Sequence, residues 1–388
     1  MNKKYFEIIK TRFPHLADNA EELISDKLLS PYVVRLSKKH LEEAKEVVAN
    51  LYRLREKPTY SDRVYRGSPE ISRWDPSNKS ICMSYDFHID SKQNLKLIEV
   101  NTNAAFLLMG YFLYDLHQLP RPIPEFTLET FKASCERESQ LSGQTLSSVA
   151  IVDENPSSQR LFIEFLLYEQ LFKSFGYATN ILDPGDLEVK NGSLCFKQEP
   201  IDFVYNRTTD FFFEQPNMLA LREAYLKKAI TLSPNPHEYA LLADKHRLIE
   251  WSLNLKESAP FPELQKIAGH LLEADYVVDT NSEALWTKKK KVFFKPLTSF
   301  GSKGTYRGEG ISRPYFDQLI NKDYIAQEYC PPQEQLFEAI GFPATQLKYD
   351  LRFYAYQGEI QMVVARLYQG QVTNLKTTYG GFAPVVFD

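Results

Sequence analysis

The spacing of apolar residues changes period near Ser80, and this change limits the architecture more than any other feature of the chain. Before it, the stretch Leu36 to Glu56 places Leu41, Ala44, Val47, Val48 and Leu51 at helical spacing, which predicts an amphipathic helix. After it come two strand-like runs, SICMSYDFHID and LKLIEVNTN, joined by the polar turn Ser91 to Asn94, which predicts a β-hairpin. A Pro-rich stretch from Leu119 to Phe126 and a polar segment from Ser142 to Ser148 then read as linkers. Beyond them the pattern alternates: strand Val149 to Val152, helix from about Ser158 to Phe175, strand Tyr177 to Leu182, strand Asp202 to Tyr205. Alternation of this kind predicts a small α/β unit on a mostly parallel sheet. Helices resume after Leu232 to Glu238, and from Tyr276 onward short strands dense in aromatic and β-branched residues run to the end. The expected class is α/β in the broad sense (α+β), divided into segments 1–145, 146–235 and 236–388.

Composition narrows the partners. The 388 residues are 43% hydrophobic and 13% aromatic, far too apolar for a disordered chain. Lys plus Arg number 46 against 50 Asp plus Glu, so no basic field exists to hold nucleic acid. The longest apolar runs, such as Ala104 to Met109, fall well short of the ~20 residues that span a bilayer. The opening MNKKYFEIIKTRF has no apolar signal core, so a cytoplasmic, membrane-free protein is expected. Cys82, Cys135, Cys195 and Cys330 lie far apart with no CxxC pair, which speaks against disulfides or structural zinc. Whether the chain forms a homodimer is left open.

Four segments could carry chemistry. In KVFFKPLTSFGSKGTYRGEG, a strand ending at Lys295 runs into Gly301, Ser302, Lys303, Gly304, Arg307, Gly308 and Gly310. Glycines let backbone amides close around an anion and the cations neutralise phosphate, although the same residues also suit a surface hairpin with turn glycines. The GxxxxGK[ST] pattern of a Walker A loop is absent. In LKLIEVN, Glu99 and Asn101 are two apart and share a sheet face, with Asp86 on the neighbouring strand. Two carboxylates and an amide oxygen are hard ligands that suit Mg²⁺ on nucleotide phosphates, while period-2 polar positions are equally the solvated face of an antiparallel strand. In the C-terminal run, Asp350 and Arg352 share a face, with Arg366 on the next strand and Asn374, Lys376 and Gly380-Gly381 following. Arginine forks suit carboxylate or phosphate oxygens, and surface ion pairs are the competing reading. Finally, DENPSSQR and DFVYNRTTDFF close two strands of the α/β unit and put Asn155, Gln159 and Arg207 where ligands of parallel sheets bind, the first segment also fitting a simple helix cap.

Taken together and in order, these segments resemble the ATP-grasp superfamily in the circularly permuted arrangement of eukaryotic-type glutathione synthetase, from about Ser80 to the end. LKLIEVNTNAAF resembles that family's metal segment, VFFKP and its glycines the lid, YIAQEYCPP the adenine hinge and YGGFAPV the closing loop. The resemblance implies an ATP-grasp fold whose metal-binding part lies in 1–145 and whose nucleotide-binding part, with a lid at about 270–330, lies in 236–388. The segment 146–235 is implied to be an inserted substrate domain. It implies ATP and Mg²⁺ as cofactors. Glu99 and Asn101 hold the metal, with Asp86 as a further ligand. Lys245, Lys295, Gly301, Ser302, Lys303, Gly304, Gln327, Glu328, Tyr329, Cys330 and Asp350 contact ATP, with Glu328 near the amino group of adenine. Asn103, Asn155, Gln159, Arg207, Arg366, Gly380 and Gly381 hold substrate, and Arg366, Lys295 and Arg352 serve the reaction. The family's metal glutamate after the lid lysine is Ser299 here, its serine-bearing turn is NAAF, and the arginine before Asp86 is Ser84. The last two changes fall where substrate sits. The implied activity is ATP-dependent ligation of a small amino acid or peptide carboxylate to an amine. A nucleotide-binding module without turnover and a small-molecule kinase are the alternatives.

Overall fold

The computed structural model describes residues 1–298 and 304–388; the residues Ser299, Gly301, Ser302 and Lys303 named above lie outside that description. A six-stranded sheet forms the centre. Along it run Gly381–Ala383, Glu359–Tyr368, Phe342–Tyr356, Met83–Ile89 and Leu95–Asn101, all antiparallel, with Gln333–Ala339 pairing to the outer half of Phe342–Tyr356. The hairpin expected around Ser91 to Asn94 is therefore two inner strands of a sheet completed by the far end of the chain. Helix Lys38–Arg55 covers one face. Ser37 caps it by accepting from the Lys39 amide, and Leu41, Ala44, Val47, Val48 and Leu51 are buried, as their spacing predicts.

The α/β alternation gives a four-stranded, all-parallel sheet in the order Thr231–Ser233, Phe203–Asn206, Ser148–Val152, Ala178–Leu182. Its helix begins at Phe162 rather than Ser158. Asn155 is left-handed and Pro156 opens a separate turn in which the Ser158 hydroxyl donates to the Asn155 carbonyl, so the local hydrogen bonds close a turn before the helix can start. The short strands Glu188–Lys190, Ser193–Phe196 and Glu199–Pro200 carry too few residues to show a period, and the sequence reading missed them. A third sheet, antiparallel, orders Ala274–Tyr276, Tyr324–Glu328, Val292–Pro296 and Tyr306–Arg307. All four cysteines are buried and free. Among the described residues no helix is long and apolar enough to cross a membrane.

Glu138, on helix Leu128–Ser142, ties the parallel sheet to the central one. Fully buried, it accepts from the Asn78 side chain at 2.9 Å, the Lys79 amide at 3.0 Å, the Ser233 hydroxyl at 3.0 Å and the Tyr356 hydroxyl at 2.9 Å. Removing the carboxylate strands several buried donors at once. Glu138→Ala is expected to lower unfolding free energy by about 3 kcal/mol, and Tyr356→Phe by about 1 kcal/mol, both read from urea denaturation midpoints.

Candidate active site

A cavity of about 590 Å³ opens where the three large sheets meet. Its walls carry Asp86, Glu99, Asn101, Asn103, Gln159, Arg207, Lys245, Lys295, Gln327, Glu328, Tyr329, Cys330, Asp350, Arg352 and Arg366, contributed by segments from every third of the chain. Most of the residues singled out from the sequence thus share one space.

The central sheet supplies its charged floor. Register places Asp86 opposite Arg352 and Asp350 opposite Arg366, so four charges stand on three adjacent strands. The Arg352 Nε and Nη2 atoms donate to the two Asp86 oxygens at 2.8 and 2.6 Å, and Arg366 Nη2 donates to Asp86 at 2.9 Å. Arg366 Nε donates to Asp350 at 2.7 Å, and the Thr373 hydroxyl donates to the other Asp350 oxygen. Burial works to raise the Asp86 pKa, but Arg352 and Arg366 outweigh it and hold the carboxyl below its usual range. Both Asp86 oxygens are therefore taken by guanidinium groups, which corrects the expectation that Asp86 offers a metal ligand. The Asn101 amide also donates to Asp86 at 3.4 Å, leaving its own oxygen for other use. Glu99 lines the cavity beside it.

The third sheet supplies the lysine and the hinge. Lys295 pairs with Ile325 and Phe293 with Gln327, so Lys295 and Gln327 stand diagonally on one face. The Lys295 ammonium donates to the Gln327 side-chain oxygen at 2.7 Å and to the Ile98 carbonyl of the central sheet at 3.3 Å. Burial, together with Lys245, pushes the Lys295 pKa down to about 8, against the attraction of Glu99. Lys245 follows the turn Tyr239–Ala243; burial lowers its pKa too, opposed by Glu99 and Asp244. Glu328 also lines the cavity but is exposed, and its carboxylate accepts from the Glu273 amide at 3.4 Å.

At the other end, the parallel sheet presents the carboxyl ends of its strands. Arg207 Nη1 donates to the Asn103 and Ala104 carbonyls at 2.8 and 3.2 Å, while Asn103 returns donations to the Arg207 and Thr208 carbonyls at 3.2 and 2.8 Å. The Arg207 Nε is buried without a partner. The Gln159 amide donates to the Glu154 carbonyl at 2.7 Å, which leaves its oxygen open. Asp153, just past strand Ser148–Val152, also lines this end, and burial raises its pKa to about 6 despite Arg207. Sequence reasoning did not single it out, although its place beyond a parallel strand follows the same rule that marked Arg207.

Four further expectations are corrected. Asn155 is exposed and outside the cavity, its amide donating to Asp183, because the turn at Pro156 carries it outward. Gly380 and Gly381 do not line the cavity either: a Cβ on them would lie 2.5 Å from the Leu367 oxygen and 2.4 Å from the Leu28 oxygen, so backbone packing is what demands glycine there. Gly304 turns with positive φ against Tyr324, and its neighbour Thr305 is the residue that reaches the cavity.

Among the described residues, six basic side chains face five acidic ones in this cavity. A slight positive excess with the buried Lys295 and the half-buried Lys245 suits a triphosphate only when a divalent cation shares its charge. Glu99 and Asn101 provide hard oxygen donors for one, and Mg²⁺ takes only one or two protein carboxylates where phosphates complete its shell. No group of three or more His, Cys, Asp or Glu among the described residues could hold a metal on its own.

No protein-family model and no curated protein matches the sequence. Among solved structures, a glutathione synthetase-like effector from Globodera pallida, in its apo form, matches with a TM-score of 0.59 at 11% identity, over 93% of this chain and 90% of that one. The fold is glutathione-synthetase-like. A candidate gamma-glutamylcysteine synthetase from Methylobacillus flagellatus matches over 86% of this chain and 83% of its own, at 12% identity and a TM-score of 0.46.

The depressed pKa of Lys295 has a measurable consequence in the ligand-free protein. Between about 8 and the ordinary 10.5 the unfolded chain binds a proton that the folded chain does not, so stability rises with pH across this window. Lys295→Met is expected to remove on the order of 3 kcal/mol of that rise, read as the difference in urea midpoints between variant and wild type at pH 7.5 and 10.

Proposed function

We propose that the chain is an ATP- and Mg²⁺-dependent ligase that joins a small carboxylate to an amine through an acyl-phosphate, on a circularly permuted ATP-grasp fold. The observation that carries this reading is the convergence on one cavity of Lys245 and Lys295, the paired arginines, and Glu99 with Asn101. This set answers the demands of phosphoryl transfer, which needs positioning and charge stabilisation more than covalent help.

In the first step a substrate carboxylate oxygen forms a bond to the γ-phosphorus while the bond from that phosphorus to the β-bridging oxygen breaks, releasing ADP. Lys245 and Lys295 neutralise the phosphates, and Arg366 faces the transferring group, held at a fixed angle by Asp86 and Asp350. Mg²⁺, when bound by Glu99 and Asn101, would supply the remaining neutralisation of phosphate charge. In the second step the amine nitrogen bonds to the acyl carbon, the acyl carbon–oxygen bond breaks, and phosphate departs as the amine proton passes to solvent or phosphate. Arg207 and Gln159 suit the acceptor end, with an apolar lining from Leu161, Phe165 and Phe382. A small peptide or amino acid, with charged ends and an apolar body, fits such a surface.

Turnover with MgATP against amino acids, dipeptides and polyamines, with product mass detection, tests the reading. ADP is expected only when carboxylate and amine are both present, and Lys295→Ala and Glu99→Gln are each expected to lower kcat/KM by about 100-fold or more. ATP binding without ADP under every pairing would replace the ligase with a binding module. ADP that needs no amine would replace it with a kinase.

A further inference from the structure

His88 is a polar group of the cavity that the proposed chemistry does not use. It stands two residues beyond Asp86 on the strand Met83–Ile89, lines the same cavity, and packs against the hinge, where its Nδ1 lies 2.6 Å from the Cys330 carbonyl oxygen. A carbonyl only accepts, so Nδ1 carries the hydrogen and Nε2 is left as a bare acceptor, with no hydrogen-bond partner among the described residues. Burial favours this neutral ring. The charges of Asp350, Lys295 and Arg366 bear on the ring, and on the hinge side the cavity lining also carries Tyr329, stacked on Phe293 at 5.9 Å and 19°, with Cys330, Pro332 and Tyr368. On the reading above the lysines and Glu99 serve the phosphates, and the Glu328 carboxylate, also in the lining, accepts from the Glu273 amide. Aromatic lining beside one acceptor of fixed tautomer suits a planar heterocycle that carries an amino hydrogen.

We propose that His88 selects the base, its Nε2 accepting from the 6-amino group of adenine and opposing the 6-keto oxygen of guanine. This rests on the nucleotide reading of the cavity given above. The Cys330 carbonyl sets the selection, because it decides which ring nitrogen keeps its lone pair. His88 is a specificity determinant and takes no part in bond making.

Titration calorimetry with the magnesium salts of the imido analogues of ATP and GTP tests this without turnover. The wild type is expected to prefer the ATP analogue by about tenfold or more, and to bind purine riboside triphosphate, which lacks the 6-amino group, about tenfold more weakly than ATP. His88→Asn keeps an amide donor for the Cys330 carbonyl but leaves no acceptor at the Nε2 position, its own oxygen falling short of it, and is expected to bring the two analogues to near-equal affinity. His88→Gln restores an amide oxygen near the Nε2 position and is expected to recover the preference. Full discrimination in His88→Asn overturns the proposal, as does equal binding of both analogues, or of ATP and purine riboside triphosphate, by the wild type; in each case ATP binding itself stands. A wild type that binds none of these nucleotides overturns the nucleotide reading and this inference with it. The purine riboside comparison uses the native chain alone, so it can overturn the proposal even if a variant fails to fold.

Discussion

The buried pairing of Asp86 with two arginines is the constraint on which the rest of the site depends. A carboxylate 1% exposed is costly unless its lone pairs are filled, and here Arg352 fills both oxygens while Arg366 adds a third charged hydrogen bond. Satisfying that carboxylate fixes the register of three strands, because slipping any of them by one residue would turn its charged side chain to the opposite face. The same pairing holds both guanidinium groups on the cavity floor before any ligand arrives. Preorganised positive charge of this kind does not have to reorient as negative charge develops on a ligand.

A second bond fixes how the two antiparallel sheets meet. Lys295 reaches from the third sheet to the Ile98 carbonyl of the central one, and the Gln327 amide donates to the same carbonyl at 3.2 Å. The lysine is thus held by neutral oxygens, which do not offset its burial, and the field of Glu99 only partly opposes the lowering of its pKa. A phosphate arriving there would replace weak acceptors with a full negative charge, and the interaction gains from the low polarity around it.

Much of this was legible in the sequence wherever a function rests on a short local pattern. Glu99 and Asn101 declare a shared face through their spacing, Lys295 and Gln327 sit on short strands with a proline at or just past their ends, and the parallel sheet follows from alternation. What was not legible depends on distant partners. Asp86 reads as a free hard ligand until Arg352 and Arg366, 266 and 280 residues away, prove to fill it. Gly380 and Gly381 read as a binding loop until the Leu367 and Leu28 carbonyls show what space they vacate. His88 carries no signal at all in sequence, since its chemistry comes from one backbone oxygen of a distant connecting segment.

The central sheet also has a history in time. The hairpin Met83–Asn101 leaves the ribosome with Met83–Ile89 as an open edge, and the strand that covers it, Phe342–Tyr356, is made some 250 residues later. At about 5–20 residues per second that interval is on the order of tens of seconds. Through it Asp86 has neither arginine, and a half-built sheet with an exposed edge and an uncompensated carboxylate cannot settle into its final packing. The parallel sheet, whose strands span residues 148 to 233, has no such wait within itself and can assemble while the central sheet is still incomplete. The parallel sheet is thus fully synthesised before the central sheet has all its strands, and the cavity between them cannot close until the last third of the chain is made.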